Sequence, residues 1–115
     1  MDVTIYHNPA CTTSRKVLGM IRESGIEPNI VEYLKTPPSR AEIKDMVRRM
    51  GVPLRTILRR RNTPFDELGL GNPAVSDDAI LDAIEAHPVL IERPIVVTPK
   101  GARLCRPPET VLEIL

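Results

Sequence analysis

Tryptophan is absent from this chain of 115 residues, which has one phenylalanine and two tyrosines. With so few flat side chains it offers no stacking platform for single-stranded nucleic acid. Net charge is +1, so no bulk field draws the chain to nucleic acid or to an anionic membrane. No apolar run approaches the roughly 20 residues of a membrane span. The amino terminus runs directly into a strand pattern, without a basic region and apolar signal core. The expected setting is therefore cytoplasmic, with neither a membrane nor a nucleic acid as partner. Cysteine and histidine are equally sparse, at two each. They form no cluster with metal-ligand spacing, so no metal is expected. A CxxC pair is missing too, because the third residue after Cys11 is Ser14. That excludes a self-contained dithiol oxidoreductase. Redox chemistry here needs thiols from outside.

Proline is abundant instead, with 12 residues, about twice the usual frequency. The prolines punctuate well-patterned elements and predict rigid loops. Residues 2–6 read as a strand and 13–24 as a helix stopped by Gly25; Asn29–Leu34 reads as a second strand. So compact a β-α-β unit implies a parallel pair with a right-handed crossover. After Pro37-Pro38, the run Ser39-Arg40-Ala41-Glu42 is a capping box, followed by the helical stripe Ile43, Met46, Val47 and Met50. Pro53 opens a further helix with Leu54, Ile57 and Leu58. Ser76-Asp77-Asp78 starts another, with Ile80, Leu81 and Ile84 inward and acids in its first turn. A strand at Ile95-Val96-Val97, a turn at Lys100-Gly101, a strand to Cys105 and a last helix after Pro107-Pro108 complete the order. The expected architecture is one α/β domain over residues 1–115. It has a small mixed four-stranded sheet, helices on the sheet's faces and a helical insertion at about 39–87. A monomer is expected.

Cys11 carries the chemistry. It stands where the first strand gives way to the first helix, among free amides at the positive end of a helix dipole. Such a setting favours thiolate over thiol. His7, four residues earlier, is a candidate imidazolium that would lower the thiol pKa further. Ser14 is placed either to donate to the thiolate or to cap the helix; Asn8 shapes the turn before Pro9. A helix-start loop also cradles oxyanions, and guanidinium groups bind such anions through paired hydrogen bonds. Arg93, before Pro94 at a strand start, is the best placed, and a cis peptide there would aim it at the Cys11 loop. Arg106 leaves the next strand at a comparable level. Of Arg59, Arg60 and Arg61, helical geometry lets one face inward.

His7-Asn8-Pro9-Ala10-Cys11, Leu58-Arg59, Arg93-Pro94-Ile95-Val96-Val97-Thr98 and Leu104-Cys105-Arg106-Pro107 together resemble the motifs of the glutaredoxin-linked bacterial arsenate reductases. The likeness takes in Tyr33-Leu34, Pro37-Pro38-Ser39-Arg40 and His87-Pro88, and so covers essentially the whole chain. It implies a thioredoxin-like fold and a Cys11 thiolate that attacks arsenate to give a cysteine–arsenic adduct. Glutathione, as co-substrate, then attacks the adduct, and glutaredoxin supplies the resolving thiol as arsenite forms; no bound cofactor is implied. By position, His7 assists ionisation, Ser14 stabilises the thiolate, and Arg59, Arg93 and Arg106 hold the oxyanion. Two alternatives stand beside this reading. One is an Spx-type redox-linked regulator that binds RNA polymerase, although such sensors typically use a CxxC pair. The other is a glutathione-dependent single-cysteine reductase with a different substrate.

Overall fold

Alternation along the central strands decides the architecture. A computed structural model describes residues 1–115 and shows a four-stranded sheet in the order β2-β1-β3-β4. The strands are β1 (Thr4–His7), β2 (Asn29–Glu32), β3 (Ile95–Thr98) and β4 (Gly101–Leu104). β1 runs parallel to β2 and antiparallel to β3, and β3 and β4 form an antiparallel hairpin. Because side chains alternate across a strand, Ile5 and Val96 enter one buried cluster while Tyr6 and Ile95 enter another on the opposite face. Both faces of the sheet are thus apolar and must be covered.

Helix α1 (Thr12–Glu23) covers the first face. Its buried residues Ser14, Val17 and Ile21 follow the i, i+3, i+7 spacing of a helical stripe. Val17 and Ile21 share a cluster with Val3, Ile5, Val96, Cys105, Val111 and Ile114. Helices α2 (Arg40–Met50) and α3 (Asp77–Ala86) cover the other face, with Ile43, Met46, Ile80, Leu81 and Ile84 inward. Gly51, in the left-handed region at φ 70°, ends α2, as expected of a glycine at that position. The capping box is present: Ser39 Oγ accepts from the Glu42 amide at 3.1 Å, and Glu42 Oε1 accepts from the Ser39 amide at 2.9 Å. Arg40 then reaches across to α3, donating to Asp82 at 2.9 Å and Glu85 at 3.1 Å.

Three expected elements differ. Strand β2 ends at Glu32 rather than Leu34, because the amides of Lys35 and Thr36 turn back onto the Glu32 carbonyl, each at 2.9 Å. The helix expected after Pro53 is only a 3-10 turn, Leu54–Ile57. The chain beyond it is extended: Leu58 pairs with Ile91, the Arg59 amide donates to the Leu90 carbonyl and the Glu92 amide to the Ile57 carbonyl, both at 2.7 Å. This short antiparallel ladder removes Arg59–Arg61 from any helix. Lastly, the segment after Pro107-Pro108 is a 3-10 helix, Pro108–Glu113, closed by short-range bonds such as Thr110 amide to Pro107 carbonyl at 3.1 Å.

Ser39→Ala removes one half of the capping box and is expected to lower stability by about 1 kcal/mol, read as a lower urea midpoint at unchanged slope.

Candidate active site

The buried stripe of α1 sets the site. Counting back three residues from Ser14 along that stripe gives Cys11, which serves as the helix N-cap with an extended backbone and no side-chain cap. The first-turn amides of a helix have no intrahelical acceptor, and those of Thr13 and Ser14 are turned to the Cys11 sulfur. The preceding loop is tightly drawn. Asn8 Oδ1 accepts from the Ala10 amide at 3.0 Å, the Asn8 carbonyl from the Cys11 amide at 3.0 Å, and Arg15 ties the Pro9 carbonyl at 2.9 Å. Asn8 thus shapes the turn, as its type suggests.

Partial burial alone would push the Cys11 thiol up. It is outweighed by the hydrogen-bonding reach of the Arg93 guanidinium, the Ser14 amide, the positive charge of Arg93 and the Thr13 amide, so the thiol sits below its ordinary pKa. Cys105 behaves in the opposite way. It is fully buried, and desolvation, aided by the nearby Glu113 charge, pushes it up to about 12. One cysteine is poised to ionise and the other is packed into the core.

His7 and Ser14 are brought together, but not as an imidazolium beside a thiolate. His7 Nδ1 lies 2.6 Å from Ser14 Oγ, and the Asn8 amide donates to the same oxygen at 3.1 Å. Burial pushes the His7 pKa down, with Glu32 opposing and Arg15 and Arg22 reinforcing the shift. The ring is therefore neutral near pH 7, which corrects the expected cation. The Ser14 hydroxyl serves neither as a helix cap nor as the group that meets the sulfur; the backbone amide of Ser14 does that. His7 acts one step back, by fixing the first turn of α1.

The arginines divide in the same manner. Arg93 is the arginine whose charge and donors act on Cys11, and both Arg93-Pro94 and Arg106-Pro107 are cis. Arg59 and Arg106 gather about Glu92, a residue that sequence reasoning passes over. Glu92 Oε1 accepts from Arg59 Nη1 at 2.8 Å and from the Arg93 amide at 3.2 Å, and lies 4.0 Å from Arg106 Nη1. Arg106 Nη1 also donates to the Arg93 carbonyl at 3.0 Å. The Arg59–Glu92 pair is mostly shielded, with side chains 12% and 20% exposed, and is screened less than a surface pair. Only the Leu58–Ile91 ladder, which is not visible in local pattern, makes Arg59 and Glu92 neighbours. Tyr33 is the second residue missed. It is fully buried, with its hydroxyl flanked by Asn8 and Arg93. Arg60, by contrast, turns to Asp66 and Phe65.

A thioredoxin-like sheet with one activated cysteine at the start of its first helix, and its second cysteine sealed in the core, defines a single-cysteine thiol protein. The model of the ArsC family matches residues 6–114, and the chain belongs to that family. It is 61% identical over 115 residues to an arsenate reductase of Rhizobium meliloti (strain 1021), covering all of this chain and 82% of that one. With an arsenate reductase of Escherichia coli (strain K12) it shares 55% over 114 residues, covering 99% and 81%. Among solved structures, an arsenate reductase from Vibrio cholerae superposes with a TM-score of 0.95 at 46% identity, covering 100% of this chain and 98% of the other.

Iodoacetamide should alkylate Cys11 with a pH midpoint below the roughly 8.5 of a free thiol, while Cys105 reacts only after denaturation. Arg93→Leu should raise the midpoint, and an unmoved value would exclude Arg93 as the stabilising charge. For His7 the folded-state pKa is depressed. Its contribution to stability is therefore complete above the unfolded value of about 6.5 and is lost as pH falls through the folded value. His7→Gln should flatten the native chain's acid-side loss of urea stability in that window.

Proposed function

We propose that this chain reduces arsenate to arsenite, with glutathione as co-substrate and glutaredoxin as partner. The observation that carries the reading is the Arg93 guanidinium set against the sulfur of Cys11. A cation at that point both stabilises the nucleophile and attracts an anion for it to attack. The relatives named as arsenate reductases, which match this chain along essentially its whole length, favour arsenate as that anion.

The Cys11 thiolate attacks arsenic; a sulfur–arsenic bond forms as one arsenic–oxygen bond breaks, and the oxygen leaves as water after protonation. Arsenic is still pentavalent. The glutathione thiol then displaces a second oxygen as water. A glutaredoxin thiolate attacks the glutathione sulfur, whose bond to arsenic breaks with the electron pair left on arsenic. The products of that step are a mixed disulfide and trivalent arsenic on Cys11. Hydrolysis releases arsenite and returns the thiolate. Two outside thiols thus supply both electrons.

In this scheme Arg93 neutralises the adduct, while Arg59 and Arg106, anchored through Glu92, carry charge for the incoming anion. Ser14 presents its amide to the sulfur, and His7 holds Ser14. The reading places the chain in the cytoplasm, where such thiols are kept reduced. The regulator alternative typically senses oxidation through a second cysteine at the position of Ser14, whose hydroxyl is here engaged with His7 and Asn8. Nothing favours it.

A coupled assay with arsenate, glutathione and glutaredoxin should show turnover by the native chain and none by Cys11→Ser. Omission of glutaredoxin should abolish it. Arg59→Ala, Arg93→Ala and Arg106→Ala are each expected to cut kcat/KM by tenfold or more, the scale of one charge-assisted contact. A native chain with a reactive Cys11 but no arsenate turnover would remove arsenate as the substrate.

A further inference from the structure

Two buried side-chain atoms in the chain lack a hydrogen-bond partner, the Tyr33 hydroxyl and Arg93 Nε. Both belong to residues beside the nucleophile. Buried polar atoms are satisfied in the great majority of cases, so a pair of orphans in one place calls for a cause. We infer that Tyr33 is a substrate-binding residue, its hydroxyl and Arg93 Nε together forming a donor pair for an oxygen of the tetrahedral oxyanion at Cys11. The inference rests on the oxyanion reading of the preceding section and adds a residue to that site.

The placement follows from the sheet. In the parallel register His7 lies opposite Glu32, so the next residue on each strand, Asn8 and Tyr33, leaves the sheet at the same level. This is the carboxyl end of the parallel pair, where open α/β sheets bind their ligands. The Tyr33 ring is fully buried in the cluster that includes Ile57, Leu90 and Ile91, the residues that also carry the Arg59–Glu92 ladder. Packing accounts for the ring. It does not account for the oxygen, since phenylalanine would fill the same volume without an unpaired donor.

Chemistry narrows the missing partner. Phenol O–H and guanidinium N–H are both donors, so the group that satisfies them is an acceptor with several lone pairs. Asn8 and Arg93 flank the hydroxyl but neither closes a hydrogen bond with it. Burial pushes the Tyr33 pKa up, and at Arg93 burial is outweighed by Cys11 first and then by the electrostatic pull of Tyr33 and Glu92, so both groups retain their protons. An oxyanion oxygen meets these conditions and is drawn by the same guanidinium.

The chain's composition makes a direct test simple: it has no tryptophan and only two tyrosines, so phenol absorbance reports on Tyr6 and Tyr33 alone. Arsenate or inorganic phosphate is added to the native chain, Tyr33→Phe and Tyr6→Phe. Three quantities are read: the ultraviolet difference spectrum, oxyanion protection of Cys11 against iodoacetamide, and the urea midpoint. The expected result is a red shift of the phenol band in the native chain and Tyr6→Phe that is absent from Tyr33→Phe. Half-protection of Cys11 in Tyr33→Phe should need roughly tenfold more oxyanion or higher, at an equal or raised urea midpoint. A role in packing alone predicts unchanged protection, because phenylalanine keeps the ring, and a hydroxyl bonded within the protein predicts lower stability with unchanged protection. Protection without a spectral shift, protection unaltered by Tyr33→Phe, or weaker protection that merely follows lost stability would each overturn the inference; so would no protection of the native chain by either anion. Arsenate turnover separates the two readings. A native chain that binds oxyanions through Tyr33 but does not reduce arsenate keeps this inference and loses the proposed function. Equal turnover and protection in the native chain and Tyr33→Phe does the reverse.

Discussion

The contact of α1 with the sheet governs the rest. Val17 and Ile21 share one buried cluster with Ile5 and Val96, and full burial of each such side chain contributes on the order of 1.5–3 kcal/mol. That packing fixes the rotation of the helix about its axis and hence the direction of its first turn. Ser14 is buried because it lies on the same stripe, and Cys11 is at the helix mouth because it lies one step earlier. The sulfur is thus placed by hydrophobic contacts one to three turns farther along the helix. The amides that meet it come at no added cost, since a helix start leaves them unpaired in any event.

Charge around the sulfur is arranged in two tiers. Arg93 and the amides of Thr13 and Ser14 act on Cys11 itself. Behind them, Glu92 joins Arg59 and the Arg93 backbone and approaches Arg106, while His7 secures Ser14. A guanidinium left alone in solvent samples many rotamers, and fixing it costs entropy. Glu92 meets that cost within the folded chain itself. A neutral His7 suits the same purpose. A second cation at that point would need a counterion in a buried space, whereas a neutral ring needs only the serine oxygen.

What could be read from sequence follows the range of the interactions. The capping box at Ser39, the helix stop at Gly25 and the cysteine at a helix start are local signals, and each has the form that its residue types dictate. Arg93 beside Pro94 was also legible, because a proline constrains its neighbour. The structure departs from the local pattern where tertiary pairing prevails. The helical spacing of Leu54, Ile57 and Leu58 predicts a helix through Arg59, yet Ile91 claims Leu58 for a ladder. Glu92 and Tyr33 carry no local mark. One matters through its neighbours across that ladder, and the other through a parallel register that aligns it with Asn8. The charge state of His7 is hidden for a similar reason, since burial, which sequence spacing does not report, decides it.

Cys105 lies sealed beneath α1, in the cluster that also holds Val3 and Val111. For the reaction proposed above, the folded chain therefore holds one of the thiols required, and the others arrive by diffusion. It has no way to bank an oxidised state as an internal disulfide between encounters. On the proposed reaction its kinetics inherit that asymmetry: each cycle contains steps second order in an outside thiol, and the working rate follows the concentration and potential of the surrounding thiol pool rather than a constant of the protein alone.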